Sequence, residues 1–170
     1  MTLALVRRGL GGLASASLTL GLFAACGRGG GATSHTEARV ASVYRAVILA
    51  LADGHAAGKE LPVVFVAPRP DAKPIPLTVQ AAVVDDLSGE VSVRFVDDGD
   101  ESIDGTVPGR PVKEGVLLRL GPVAAGDPVD VTVELYRTVT DQQLVTLSAR
   151  SNGESWSARV VAEVPVTPDG

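Results

Sequence analysis

Three consecutive runs in the last third of the chain alternate apolar and polar residues, and that pattern limits the fold more than any other feature. Val129, Val131, Val133 and Leu135 are interleaved with Asp130, Thr132, Glu134 and Tyr136. Val145, Leu147 and Ala149 are interleaved with Thr146, Ser148 and Arg150. Trp156, Ala158, Val160, Ala162 and Val164 are interleaved with Ser157, Arg159, Val161 and Glu163. Successive side chains of a strand point to opposite faces, so each run presents one face to a core and the other to water, as antiparallel strands do. Asn152-Gly153, between the last two runs, signals a tight hairpin because both residues tolerate positive φ. Val91, Val93 and Phe95 alternate in the same way, and the apolar run 116–120, closed by Gly121-Pro122, adds a further strand.

Upstream the period changes. Val40, Val43, Tyr44, Val47 and Leu51 recur at spacings of three and four, which predicts a helix over 37–52. Ile48 and Leu49 widen its apolar stripe. Thr36 is the expected N-cap, Glu37 lies at the positive end of the dipole, and Asp53-Gly54 ends the helix. The run Leu-Pro-Val-Val-Phe-Val-Ala at 61–67 has strand composition, and Pro68, Pro70, Pro74 and Pro76 punctuate the loop after it. Residues 77–87 carry both periods. Pro76 before them and Ser88-Gly89 after them favour helix, whereas Asp85 and Asp86 sit at the end where the dipole disfavours acids. No period of 20 to 50 residues repeats, which excludes a solenoid. The expected fold class is therefore α+β: an antiparallel meander sheet packed against one or two helices, in a single domain over 37–167 with a short tail at 168–170.

The first quarter has a different character. Arg7 and Arg8 precede Leu10–Ala25, which are free of charge but fall short of the roughly 20 apolar residues that a spanning helix needs. A basic start, a short apolar stretch and small residues at its end form a secretory signal over 1–25. The stretch closes Leu22-Phe23-Ala24-Ala25-Cys26. That segment resembles the lipobox of bacterial lipoproteins, in which small residues precede a Cys that is acylated and becomes the mature N-terminus, although Phe23 stands where the family usually has Leu. The resemblance implies lipidation at Cys26, a membrane-facing anchor and residence on the extracytoplasmic face of the cell membrane. The remaining residues to Thr36 are Gly-rich and read as a tether over 26–36. Arg7-Arg8 leaves export by the general or the twin-arginine route open. Removing the segment takes the net charge from −5 to −7.

A second resemblance rests on the helix Val-Tyr-Arg-Ala-Val-Ile, the strand Val-Val-Phe-Val, the segment Arg-Phe-Val-Asp-Asp, the turn Leu-Gly-Pro-Val and the closing Gly-Glu-Ser-Trp-Ser-Ala-Arg-Val. This order, over about 40–165, is similar to a group of uncharacterised secreted or lipid-anchored actinobacterial proteins, and twelve Arg against three Lys suits a GC-rich genome. It implies the α+β architecture and a helix at 77–87, and brings no activity with it.

Chemistry-bearing residues are sparse. One Cys excludes an internal disulfide and a Cys-based zinc site, and scattered bases exclude a nucleic-acid footprint. Gly27–Gly31 lacks the Lys-Ser/Thr ending of a phosphate loop. In the acidic stretch 97–105, Asp100, Ser102, Asp104 and Gly105 match alternate ligand positions of a calcium loop, with Val107 at the usual apolar position. Pro111, however, stands where its bidentate Glu belongs, so Asp100 and Asp104 are weak calcium candidates. His55 lies near Asp53 and Glu60 without a nucleophile motif, and Trp156 reads as core on its alternating face. No cofactor is implied. Two function classes follow: a binding or protein-interaction domain whose partner is an envelope protein or a small molecule, or a cell-envelope hydrolase using two of Asp97, Asp98, Asp130 and Glu134. The first is favoured.

Overall fold

A computed structural model describes residues 34–52 and 61–167. The chain is α+β, with two helices and one six-stranded, mostly antiparallel sheet. In chain order the elements are α1 (His35–Ala52), β1 (Val63–Pro68), α2 (Leu77–Leu87), β2 (Ser92–Phe95), a 3-10 turn (Gly99–Ser102), β3 (Val116–Leu120), β4 (Val129–Thr138), β5 (Asp141–Ser151) and β6 (Trp156–Pro165). The strand order is β2-β1-β3-β4-β5-β6.

The meander expectation holds for β3 to β6, which pair antiparallel in sequence order. It fails for β1, which runs parallel to both β2 and β3. The reason lies in the composition of β1. Its unbroken run Val64-Phe65-Val66-Ala67 is buried on both sides, as strands in the interior of parallel sheets are. Val64 and Val66 join the main core with Leu118, Leu120, Val131, Val133 and Leu147 beneath the helices. Phe65 and Ala67 enter a smaller cluster with Ile103, Val112, Leu117 and Tyr136 on the other face. A parallel return needs a crossover. The first, from β1 to β2, is α2; the second, from β2 to β3, passes over β1 through the 3-10 turn and the irregular segment 103–115, which covers the smaller cluster.

Helix α1 begins two residues before the expected start. Its cap is Ser34 rather than Thr36: the Glu37 amide donates to Ser34 Oγ (3.2 Å) and the Ser34 amide donates back to Glu37 Oε2 (3.0 Å). This reciprocal pair is a capping box, whose Ser-x-x-Glu spacing was present in the sequence. The Ser34 amide, more than any other contact, holds the Glu37 carboxyl below the usual carboxylate range. Val43, Tyr44, Val47, Ile48 and Leu51 are buried as their spacing implies, whereas Val40 stays half-buried. Residues 77–87 are helical, but the buried stripe of α2 is Val79, Val83 and Leu87; Leu77 and Val84 face solvent.

Gly153 alone adopts positive φ in the β5–β6 connection, so the expected two-residue Asn-Gly turn is instead a four-residue loop, 152–155. Asn152 contributes its side chain, whose Oδ1 accepts from the amides of Glu154 (3.0 Å) and Ser155 (2.8 Å). Within β6 the pairing slips between Thr146 and Leu147 of β5, placing an extra residue, Val161, in the edge strand.

Gly115 enters β3 at φ +72°, and a Cβ there would fall on the carbonyl oxygen of Val63 in β1. Gly109 has φ +82° with open space around it. Gly109→Ala should therefore cost about 1 kcal/mol, the backbone penalty alone, and Gly115→Ala roughly 2 kcal/mol or more. Denaturant midpoints of the two variants check this, and equal losses would show that the Val63 approach is relaxed.

Candidate functional site

The carboxyl ends of β1 and β3 are where the chain diverges. From β1 it leaves through the proline loop 69–76 to α2, and from β3 through 121–128 to β4. Ligand crevices of α/β sheets form where neighbouring strands send their connections apart. Here the gap is an apolar crevice with a volume of about 450 Å³, lined by Val40 and Tyr44 of α1, Ala72, Pro74, Ile75 and Pro76 of the first loop, and Pro122 and Val123 of the second. Asp71 and Lys73 stand at its rim.

The walls are held by polar contacts behind the apolar lining. Tyr44 is buried, and its hydroxyl donates to the Gly121 carbonyl oxygen at 2.9 Å, tying α1 to the turn after β3. Gln80 Nε2 donates to the Ile75 carbonyl oxygen at 2.9 Å, and the Arg69 amide donates to that of Leu120 at 3.0 Å. The loop prolines fix φ, so little chain entropy remains to be lost when a ligand enters. The long Arg39 side chain braces the far end of the second loop through the carbonyl oxygens of Ala124 and Gly126 (3.0 and 2.6 Å) and lies 5.1 Å from the Trp156 ring. Trp156 is half-buried against the main core, as its alternation implied.

The acidic residues are distributed differently from either sequence-based expectation. Asp98 Oδ1 accepts from the Asp100 amide (2.9 Å) and caps the 3-10 turn. Asp100 and Glu134 converge on one guanidinium, Arg119, at 3.2 and 2.8 Å. Arg119 lies 5.8 Å from the Tyr136 ring, and Gly99 leaves room for it, since a Cβ there would stand 2.8 Å from Nε. The two carboxylates that meet are therefore bridged by the cation between them rather than facing a common cleft, and Glu134 is the only one of the four hydrolase candidates in the pair. Asp130 lies exposed on β4. The calcium candidates are engaged separately. Asp100 is on Arg119, Ser102 Oγ donates to the Gly99 carbonyl oxygen (2.7 Å), and Asp104 accepts from the Thr106 amide and hydroxyl (2.9 and 2.6 Å). The hydroxyl, first, and then the amide of Thr106 hold Asp104 below its ordinary range. Among the described residues no group of three or more His, Cys, Asp or Glu is placed to hold a metal. Cys26, and His55 with Asp53 and Glu60, lie outside the described residues.

Comparison with family models, with curated proteins and with solved structures finds no match to this chain. Among the described residues no helix is long and apolar enough to cross a membrane.

Burial pushes the Tyr44 hydroxyl up from 10.0 to about 12. Below pH 10 both folded and unfolded chains keep the proton, and the Gly121 contact contributes in full. Between pH 10 and 12 only the unfolded chain ionises, so this contribution is lost as pH rises, by at most about 3 kcal/mol. Tyr44→Phe should remove that alkaline loss while costing about 1 kcal/mol at pH 7. Denaturant titrations at pH 7 and pH 11 measure both, and an undiminished alkaline loss in the variant would assign it to other groups.

Proposed function

We propose that this chain is a membrane-anchored extracytoplasmic lipoprotein whose domain is a binding module, and that the crevice at the carboxyl ends of β1 and β3 is where it takes an apolar ligand or the apolar side chains of an envelope partner. The crevice carries the binding part of the reading. It is apolar, concave and stiffened by prolines, with two charged residues at the rim to orient what enters, the usual composition of a ligand pocket. The motif Leu22-Phe23-Ala24-Ala25-Cys26 supports the anchoring part. In this reading Cys26 carries the acyl chains, and since each buried methylene adds about 0.8 kcal/mol, stable attachment needs more than one chain. No nucleic acid enters the reading, because the chain is acidic.

Two experiments test it. Cys26→Ser should abolish fatty-acid labelling and move the protein from the membrane to the soluble fraction; retention at the membrane without label would overturn the anchor. For the crevice, a photo-reactive phenylalanine analogue at Val123 should give discrete crosslinked species in cells, and the same group at the exposed Glu90 should not. Val40→Arg, which places a charge in the lining, should abolish the Val123 adducts. Equal adducts from both positions would overturn the binding assignment.

A further inference from the structure

The sheet face opposite the helices is open over β5 and β6, and there the register assembles four side chains into one block. Ser148 of β5 lies directly opposite Arg159 of β6, and Arg150 directly opposite Ser157. Residues two apart on a strand share a face, so both guanidiniums and both hydroxyls project to the same side, with each kind on one diagonal. They line a shallow cavity of about 270 Å³.

The charges in this block lack the partners found elsewhere. Arg45, Arg69, Arg94, Arg119 and Arg137 each meet a carboxylate, and Arg39 meets two carbonyl oxygens. Among the described residues, neither Arg150 nor Arg159 forms an ion pair, and neither Ser148 nor Ser157 has a side-chain hydrogen bond. Asp130 of β4, directly opposite Ser148 and so diagonal to Arg150, shares the face but forms an ion pair with neither arginine. Diagonal positions stand about 7 Å apart at Cβ, within reach of a shared ligand, and two like charges so placed oppose one another until an anion joins them.

We infer that this block is a binding site for a phosphate group. Two planar forks and two hydroxyls supply more donors than a carboxylate has oxygens to accept, and they suit a tetrahedral oxyanion that presents three. The cavity accommodates a phosphoryl group and a small substituent. The same chemistry is offered by a soluble phosphate monoester and by the monoester headgroup of phosphatidic acid. The site is independent of the apolar crevice and of the Cys26 anchor.

The test uses the full chain with uniform ¹⁵N label. Inorganic phosphate and glycerol phosphate should shift the Arg150 and Arg159 Nε resonances saturably, and acetate at equal ionic strength should not. R150Q/R159Q should weaken the response at least about tenfold, judged by the remaining backbone amides of 147–159, as expected when charge-assisted hydrogen bonds are lost. R45Q/R94Q, which removes the same charge from surface pairs, should leave it unchanged. In a second arm, R150Q/R159Q and R45Q/R94Q are compared with the parent chain on phosphatidic acid and phosphatidylcholine vesicles. A lower affinity of R150Q/R159Q for phosphatidic acid alone, not shared by R45Q/R94Q, assigns a lipid headgroup. Unchanged vesicle binding with a saturable response to glycerol phosphate assigns a soluble ester. Absence of a saturable shift, an equal response to acetate, or equal weakening in both double variants overturns the proposal.

Discussion

Everything in this fold depends on β1 being apolar on both sides. A strand with Val64 and Val66 on one face and Phe65 and Ala67 on the other has no face to give to water, so it sits inside the sheet with a cover above and below. The helices supply one cover. The other is the 3-10 turn and the segment to Val112, an irregular stretch in which Ser102 bonds to Gly99 and Asp104 to Thr106, and whose Arg110 carbonyl oxygen accepts from Tyr136 of β4. The acidic stretch is best understood in this role. Its short polar side chains satisfy a backbone that lies over Phe65 and Leu117 without a ladder of its own, which an irregular cover of a core requires.

The same constraint creates the crevice. Because β1 and β3 are parallel neighbours, both end at the same edge of the sheet, and each must leave by a different route. Tyr44 then does two things that an aliphatic residue could not: its ring walls the gap while its hydroxyl satisfies the Gly121 carbonyl oxygen at the turn. Burial of that hydroxyl, and no nearby charge, accounts for its raised pKa.

Local signals carried the sequence reading a long way. Strand alternation found β2 and β4 to β6, the apolar run closed by Gly121-Pro122 found β3, the threefold and fourfold spacing found α1, and Pro76 with Ser88-Gly89 favoured the helix that α2 forms although 77–87 carries both periods. The turn at Val139-Thr140 had no Gly or Asn to mark it; Thr138 Oγ1 holds it by accepting from the Asp141 amide at 3.1 Å. Parallel pairing escaped because strand direction is decided by where a crossover lands, which no local pattern records; the unbroken apolar run at 63–67 was the available clue. The crevice escaped because Tyr44, Ile75 and Val123 are distant in sequence, and each reads as ordinary core or loop. The phosphate block depended on a loop length. Had Asn152-Gly153 formed a two-residue turn, Ser151 would face Glu154, Arg159 would lie opposite Thr146, and the two arginines would be separated along the sheet. With four loop residues Ser151 faces Trp156, and the block closes.

The slip in β6 also decides where the sheet stops. Val160, Val161 and Val164 are exposed on an edge strand whose hydrogen-bonding groups have no outer partner in the sheet, which is the composition of a surface that polymerises. Two copies joined edge to edge in antiparallel fashion keep like faces together, so an attractive pair must come from residues on one face. Were β6 regular throughout, Arg159 and Glu163, four residues apart, would share a face and could bridge such a junction reciprocally. The bulge places Arg159 beside Ser148 and Glu163 beside Val145, on opposite faces. The slip in pairing thereby withholds the ionic contact that would have rewarded the addition of a seventh strand.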